Sequence, residues 1–145
     1  MYRETIQIYT EKKFTLLNPL LNEFLIRAAS RDNPEGLGLV HVFSSHTTAG
    51  IKIIENEILS LHDICEHLER VAPVDGKYAH DRIDLRDVPP NERINGWAHI
   101  QSLYINHSET IPVYGGKLDL GTWESVMLIE LDGPREREIV VSYQY

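Results

Sequence analysis

Alternating apolar and polar side chains mark the predicted strands of this chain. In the first strand, RETIQIY at 3–9, Ile6 and Ile8 share one side and polar residues take the other, as in a half-buried strand. Similar apolar or alternating runs predict further strands at 38–43, 50–54, 98–105, 110–120 with a hairpin turn at Gly115-Gly116, 124–131 and 137–145. Most of these strands are consecutive, which favours antiparallel sheet.

Two segments carry apolar residues at helical spacing. The first begins at Asn18 and Pro19, an N-cap residue followed by a preset backbone angle, and continues to about Ala29 before the turn sequence SRDNPEG. The second covers 58–71 and has its charged residues on the opposite side. The aperiodic stretch 72–96 predicts one long loop, and loops of this length inside a domain are commonly functional.

These elements predict one domain over 1–145 with an α+β fold: two packed, mainly antiparallel β-sheets and about two α-helices. A chain of 145 residues, 42% of them hydrophobic, is long enough for a single core. Pro112 cannot donate a hydrogen bond to a neighbouring strand, so its strand is expected to lie at an edge or to carry a bulge.

Charge and composition exclude several partners. The formal net charge is −8, whereas proteins that bind a nucleic-acid backbone need a basic surface. The chain lacks a run of roughly 20 apolar residues that could span a membrane, and its N-terminus lacks the apolar core of a secretory signal. A single cysteine, Cys65, excludes an intrachain disulfide. We therefore expect a cytoplasmic protein whose partner is a small anion or phosphorylated metabolite rather than nucleic acid or a membrane.

The most informative residues are histidines in polar settings at segment ends. Of the seven histidines, we select those at 46, 80, 99 and 107 and interpret the others as core or solvated side chains. His46 lies in SSHTTAG, where Thr47 and Thr48 could orient its ring or bind an oxyanion. This sequence is equally typical of a hydroxyl-rich turn that joins two strands.

Carboxylates and arginines supply further candidates. Glu55 and Asp63 could face one cleft as a general base or as Mg²⁺ ligands, although solvated surface acids are commoner. Asp81 adjoins His80 in the long loop, where functional residues concentrate. Arg135 and its neighbour Arg137 could clamp a phosphate, but alternating Glu and Arg equally suits cross-strand ion pairs.

A divalent metal is a further possibility. His46, His80 and His99 lie on separate segments and could together bind Zn²⁺, although no HxH or HExxH spacing predicts such a site. Mg²⁺ held by Glu55 or Asp63 is the alternative. The residues leave the choice between these metals and a bound oxyanion open.

A series of short motifs in one order resembles a known family. The motifs are HTTAG at 46–50, EN at 55–56, Asp63, Y-x-H at 78–80, Asn95, A-H at 98–99, Ser108, IPV at 111–113, G-x-L-x-LGTW at 116–123, Glu130 and DGPR at 132–135. Together they resemble the YjbQ-like family, also called the secondary thiamine-phosphate synthase family, over residues from about 2 to 143. The chain departs from the family pattern at Asn106-His107 and at Glu124.

The resemblance implies a small α+β domain that assembles as a homotrimer, with a histidine-rich pocket near a subunit interface. It also implies thiamine-phosphate synthase activity as a secondary activity, in which hydroxymethylpyrimidine pyrophosphate joins a thiazole phosphate and pyrophosphate is released. The catalytic candidates carried over are His46, Glu55, Asp63, His80, Asp81 and His99. The substrate-binding candidates are Thr47, Thr48, Ser108 and Arg135.

Two other functions compete with this transferase hypothesis. A metal-dependent hydrolase of a small phosphorylated metabolite would use the same histidines and carboxylates. A trimeric protein that binds a metal or anion without catalysis would use the histidine pocket alone, and its ligand would raise the melting temperature without turnover.

Overall fold

A computed structural model of the chain describes residues 1–29 and 32–145. Within these residues the strands are β1 (Tyr2–Thr10), β2 (Phe14–Leu16), β3 (Gly38–Ser44), β4 (Ala49–Ile54), β5 (Ser108–Tyr114), β6 (Lys117–Leu118), β7 (Ser125–Glu130) and β8 (Arg135–Gln144). The helices are α1 (Asn18–Ala28), α2 (Ile58–Val71) and α3 (Gly96–Gln101), with short 3-10 turns at Ala79–Asp81, Ile83–Leu85 and Ser102–Tyr104. The turn predicted for SRDNPEG starts at residues 30 and 31, which lie outside the described residues.

The strands form two antiparallel sheets. The larger sheet has the strand order β1-β8-β3-β5-β6, and the smaller has the order β2-β7-β4. Every pair of neighbouring strands runs antiparallel. The predicted α+β fold with two packed antiparallel sheets is confirmed, with three α-helices in the described residues where two were expected.

Both faces of strand β7 are buried, which places this strand in the middle of the molecule. Val126 and Leu128 pack in the main core with residues of both sheets and of α1. Met127 and Ile129 point the other way, into a second core against α2 and α3. The alternation of side chains along a strand thus lets the small sheet support two cores.

Each helix is anchored to the sheets in a different way. Helix α1 begins at Asn18 as expected, but the Asn18 side chain accepts a hydrogen bond from the backbone N–H of Val126 (2.8 Å) instead of capping the helix. At the start of α2, the Glu57 carboxylate accepts hydrogen bonds from the N–H groups of Leu59 and Ser60, both at 2.9 Å. These bonds lower the pKa of Glu57. No helix in the described parts of the chain is long and apolar enough to cross a membrane.

The strand predicted at 98–105 is wrong, because this segment forms α3 and the 3-10 turn that follows it. Ala98 and Gln101 are buried at helical spacing, whereas Ile100 and Leu103 are exposed. The Gln101 amide donates hydrogen bonds to the carbonyl groups of Leu68 (3.3 Å) and Ala72 at the end of α2. Contact with α2 therefore overrides the apparent strand pattern.

Pro112 lies on β5, the second strand from the edge of the larger sheet, where an edge strand or a bulge was expected. It pairs with Leu39 of β3, and its carbonyl accepts a hydrogen bond from Asp119 (2.8 Å) on the other side. Because the nitrogen and the carbonyl of a residue point to the same side of a strand, the missing donor faces the short strand β6 rather than β3.

Candidate functional site

The SSHTTAG segment connects the two sheets. It leaves the larger sheet at the end of β3 and enters the smaller sheet at the start of β4. The hydroxyl of Ser44 donates to the carbonyl of Ala49 (2.7 Å), and both residues are buried. This bond closes the crossing and presents residues 45–48 at one end of the two packed sheets.

The His46 ring is fixed by the backbone of β8. Strand β3 ends at Ser44, opposite Ile139, so the N–H of Glu138 has no strand partner on that side. The Nε2 atom of His46 accepts this N–H at 2.8 Å. Nε2 is therefore unprotonated, and the neutral ring carries its proton on Nδ1. Partial burial and the nearby positive charge of Arg137 lower the pKa of His46 and favour this neutral form.

His80 and His99 form a pair of contacting rings whose planes are tilted by 54°. The ring centroids lie 4.3 Å apart, although the two residues belong to the long loop and to α3. Asp81 connects these two elements, because its Oδ1 accepts a hydrogen bond from the N–H of Gly96 (2.8 Å). Burial, and then the proximity of His80 and Arg86, lower the pKa of His99.

A buried ion pair lies beneath His46. The Arg137 guanidinium donates to both oxygens of Glu130 at 2.5 and 2.6 Å, and both residues are almost fully buried. Arg137 also donates to the Thr48 hydroxyl (2.9 Å). Burial alone would raise the pKa of Glu130, but hydrogen bonds from Arg137 and Thr10 outweigh it and hold this pKa below its ordinary value. The pair remains charged and ties β7 and β8 to the sheet crossing.

A second carboxylate, Asp132, binds two arginines at once. Its Oδ2 atom accepts from Arg135 and from the Asn95 amide, both at 2.9 Å. Its Oδ1 atom lies 3.1 Å from Arg93. Since Asp132 is 3% exposed and offers one negative charge to two guanidinium groups, this cluster keeps a net positive charge.

These groups surround a cavity of about 390 Å³. Its lining consists of Ser45, His46, Thr47, Thr48, His80, Arg86, Glu92, Asn95, His99, Arg135 and Arg137. Within the described residues, Arg86 forms no ion pair, and it donates to the carbonyl of His80 (3.0 Å). Guanidinium groups, hydroxyl groups and imidazole rings therefore converge in a chain whose overall charge is −8. Such a site is suited to bind a phosphate group.

Six of the sequence-predicted site residues lie together in this cavity: His46, Thr47, Thr48, His80, His99 and Arg135. Asp81 stands behind the cavity lining and holds α3 in place. The other three candidates, Glu55, Asp63 and Ser108, do not line the cavity. Glu55 is exposed just after β4, and Ser108 pairs with Phe43 at the start of β5.

Asp63 belongs to a different cavity, of about 400 Å³, between α2 and the smaller sheet. Apolar side chains such as Ile54, Ile64 and Ile129 form much of its lining, and no arginine of residues 1–29 and 32–145 lines it. Helix α2 packs on the face of the small sheet that points away from the larger sheet, so it carries Asp63 away from the histidines. Glu55 does not line this cavity, and neither carboxylate lines the cavity that holds the histidines.

Apart from Ser45 of the SSHTTAG segment and Arg137, which was considered as a phosphate clamp, three lining residues were not selected from the sequence. Arg86 and Glu92 come from the long aperiodic loop, where no pattern indicates which side chains turn inward. Asn95 was recognised only as part of the family motif. The one available signal for these three residues was that they lie in the sequence between His80 and His99, two histidines of the site.

A metal ion shared by His46, His80 and His99 would need ligand atoms of all three rings to lie close together. In residues 1–29 and 32–145, the one group of three ligand atoms within 4.8 Å of one another is formed by His62, Asp63 and Glu66, all exposed on α2. His46 already uses Nε2 as an acceptor. In this geometry the three cavity histidines do not fit one shared ion, and the guanidinium groups of Arg86 and Arg135 nearby favour an anion.

The fold and the cavity define a class of small α+β proteins with a larger sheet packed on a smaller one and a cavity lined by arginines and histidines where the chain crosses between them. The chain belongs to the family described as UPF0047 protein YjbQ-like, whose model matches residues 4–145. A UPF0047 protein of Methanothermobacter thermautotrophicus is 44% identical over 105 residues, which cover 72% of this chain and 67% of that protein. One from Methanocaldococcus jannaschii is 35% identical over 136 residues, covering 93% of this chain and 88% of that protein.

Solved structures share the whole fold. The crystal structure of a hypothetical protein from Aeropyrum pernix K1 has a TM-score of 0.81 and 29% identity, covering 99% of this chain and 98% of that one. A YbjQ-like protein of unknown function from Sulfolobus solfataricus P2 has a TM-score of 0.78 and 26% identity, covering 97% of this chain and 94% of that one. The expected family is confirmed over nearly the entire sequence.

Proposed function

We propose that this protein binds a small phosphorylated metabolite in the cavity and catalyses the transfer of the group attached to its phosphate. The observation that carries this proposal is the convergence of Arg86, Arg135 and Arg137 with the His80–His99 pair around one cavity of about 390 Å³. Arginine side chains bind phosphate through several parallel hydrogen bonds. A cavity of this size accommodates a small metabolite.

The specific reaction we propose is thiamine-phosphate synthesis, which the family resemblance suggests. In this reaction the bond between the pyrimidine methylene carbon and the pyrophosphate oxygen breaks, and its electrons leave with pyrophosphate. The thiazole nitrogen forms a new bond to that carbon with its lone pair. Positive groups aimed at the departing oxygens lower the barrier of such a step. Arg86 and Arg135 are the guanidinium groups that we assign to the pyrophosphate.

The histidines have a separate role in this proposal. Burial lowers the pKa of His46 and of His99, so both rings are neutral near pH 7 and can donate an N–H group without a strong charge. His46 donates through Nδ1, because Nε2 accepts from Glu138. Neutral donors orient the phosphate oxygens while the arginines supply the charge.

The test is a product assay with both substrates and Mg²⁺, followed by chromatographic detection of thiamine phosphate. The wild type and the control His62→Ala, which changes an exposed histidine of α2, should form the product at equal rates. His99→Ala should lose at least tenfold in rate. Absence of product from the wild type would overturn the synthase proposal, and release of phosphate from single phosphoesters would favour the hydrolase instead.

For the assembly we propose the homotrimer that the resemblance implies. On the outer face of the larger sheet, Leu39 is 49% exposed, Phe43 40% and Tyr114 72%, and these residues stand on the neighbouring strands β3 and β5. Contiguous exposed apolar groups mark protein interaction surfaces. Light scattering coupled to gel filtration should give three times the mass of one chain, and Phe43→Glu should lower it. A monomeric wild type would contradict the proposal.

A further inference from the structure

The cavity of about 400 Å³ between α2 and the smaller sheet, here called the α2 cavity, is an apolar space at the edge of the second core. Strands β4 and β7 line it with Ile54 and Ile129, and α2 lines it with Ile64. In α2, every residue of which the structure describes, Leu68 alone is buried. The apolar stripe of this helix is therefore only partly covered by the rest of the chain.

Lys52 brings a positive charge to this apolar space. It lies two positions before Ile54 on β4, so both side chains leave the same face of the strand. In residues 1–29 and 32–145 it forms no ion pair, and its Nζ atom makes one long hydrogen bond of 3.4 Å, to the Asn106 side chain. A lysine stem covers apolar surface while its ammonium group stays near water. The ammonium group is thus free to bind a negative charge at the mouth of the cavity.

The charges around the α2 cavity favour a ligand with a single negative charge. Among the described residues of its lining, Lys52 is the one lysine and Asp63 the one carboxylate, and Asp63 is exposed on α2. A phosphate group carries nearly two negative charges, so one lysine would not balance it and Asp63 would repel it further. A carboxylate carries one charge, which Lys52 balances alone.

We propose that the α2 cavity binds a small monocarboxylate with an aliphatic or aromatic body. Its carboxylate pairs with Lys52, and its body packs against Ile54, Ile64 and Ile129. The volume lies within the roughly 300–1,000 Å³ of cavities that bind small molecules, which are mostly apolar with a few polar groups. This site shares no lining residue with the cavity that holds the histidines, so the inference is independent of the proposed function.

NMR titration of the wild type, labelled with ¹³C in the isoleucine methyl groups, tests this site with three ligands of equal length: octanoate, 1-octanol and octylammonium. Octanoate should shift the signals of Ile54, Ile64 and Ile129 and leave those of Ile111 and Ile139 in the main core unchanged. It should bind about tenfold more tightly than the other two, as expected for a hydrogen bond to a charged group. From butanoate to octanoate, each added methylene should tighten binding by about three- to fourfold.

Three variants test the role of the lysine. Lys52→Met removes the charge and keeps an apolar stem, so it should bind octanoate no more tightly than 1-octanol. Lys52→Arg keeps the charge and should retain the preference for octanoate. Lys77→Met changes an exposed lysine of the long loop and should behave as the wild type.

Several results would overturn the inference. Tightest binding of octylammonium would assign the site to Asp63, and equal binding of all three ligands would leave no role for charge. A preference for octanoate that persists in Lys52→Met would point to another cation. Signals of Ile54, Ile64 and Ile129 that shift with protein concentration alone would show that a second copy of the chain covers the cavity. Pyrophosphate should leave these three signals unchanged, so either result for octanoate leaves the proposed function standing.

Discussion

The backbone N–H of Glu138 donates a hydrogen bond to Nε2 of His46 at 2.8 Å. Strand β3 ends before it reaches Glu138 of β8, so this N–H is free to bind the His46 ring. The bond determines that the neutral ring carries its proton on Nδ1. We predict that long-range ¹H–¹⁵N NMR spectra at pH 7 will show His46 protonated on Nδ1 alone. Protonation on Nε2 would contradict this geometry.

The lowered pKa values of His46 and His99 predict a loss of stability in mild acid. Both groups bind protons less readily in the folded than in the unfolded chain, so the unfolded state binds more protons as the pH falls below the ordinary histidine value. Their contribution is complete above about pH 6.5 and is lost as the pH falls through the folded pKa values. Denaturant unfolding at pH 7 and pH 5 measures this effect. His46→Gln, whose side chain can still accept from Glu138, should lose less stability than the wild type between these pH values, and an equal loss would contradict the assignment.

The Arg137–Glu130 pair predicts a large effect on stability. Glu130→Ala leaves a buried guanidinium without its counter-charge, which should lower the free energy of unfolding by about 3–5 kcal/mol. Glu136→Ala removes an exposed carboxylate from the same region of β8 and should change it by less than about 0.5 kcal/mol. Urea unfolding of both variants provides the comparison. Equal effects would show that the ion pair is not a structural requirement.

Asp81 was expected to be catalytic, and its contact with Gly96 predicts a positioning role. Asp81→Asn keeps an oxygen that can accept the Gly96 N–H, so it should retain most of the wild-type activity. Asp81→Leu removes the acceptor and should reduce activity at least tenfold, because α3 and His99 are no longer held against the loop. Steady-state rates of both variants decide the matter. Loss of activity in Asp81→Asn would restore the catalytic role.

Gly96 allows the long loop to approach α3. A Cβ atom at this position would lie 2.4 Å from Cβ of Tyr78 and 2.9 Å from the Asp81 carboxylate. Gly96→Ala should therefore destabilise the protein by about 1–3 kcal/mol and weaken ligand binding by moving His99. Gly121→Ala is the control, since its nearest neighbour would be the flexible Glu124 side chain at 3.2 Å. Equal stability of the two variants in urea unfolding would contradict this packing argument.

Much of the fold could be predicted from local pattern, but the site could be predicted only in part. The alternation of apolar and polar residues located the strands, because the two faces of a strand differ in burial. Residues 98–105 were wrongly predicted as a strand, because the contact with α2 that makes them helical is not encoded in the local sequence. The histidines were recognised by their polar settings at segment ends. Where these histidines come together depends on how the long loop folds, which no local pattern encodes. Arg86 therefore could not be selected, and Asp63 was expected in the same site as the histidines although it lies in another cavity.

Elemental analysis tests the metal site that the sequence suggests at His46, His80 and His99. The Nε2 atom of His46 already accepts the backbone N–H of Glu138, and the ring nitrogens of the three histidines do not converge on one point. We therefore expect less than one equivalent of zinc in the purified protein. One equivalent that disappears in each of the variants His46→Ala, His80→Ala and His99→Ala would establish a metal centre instead. His67→Ala, a change on the exposed side of α2, is the matched control.

The central claim is that the cavity binds phosphate through its arginines, and titration calorimetry with inorganic pyrophosphate tests it most directly. We predict one binding site per chain in the wild type, at least tenfold weaker binding in Arg86→Ala and Arg135→Ala, and unchanged binding in Arg70→Ala, which alters an exposed arginine of α2. Binding that persists unchanged in Arg86→Ala and Arg135→Ala, or that is absent from the wild type, would contradict the account.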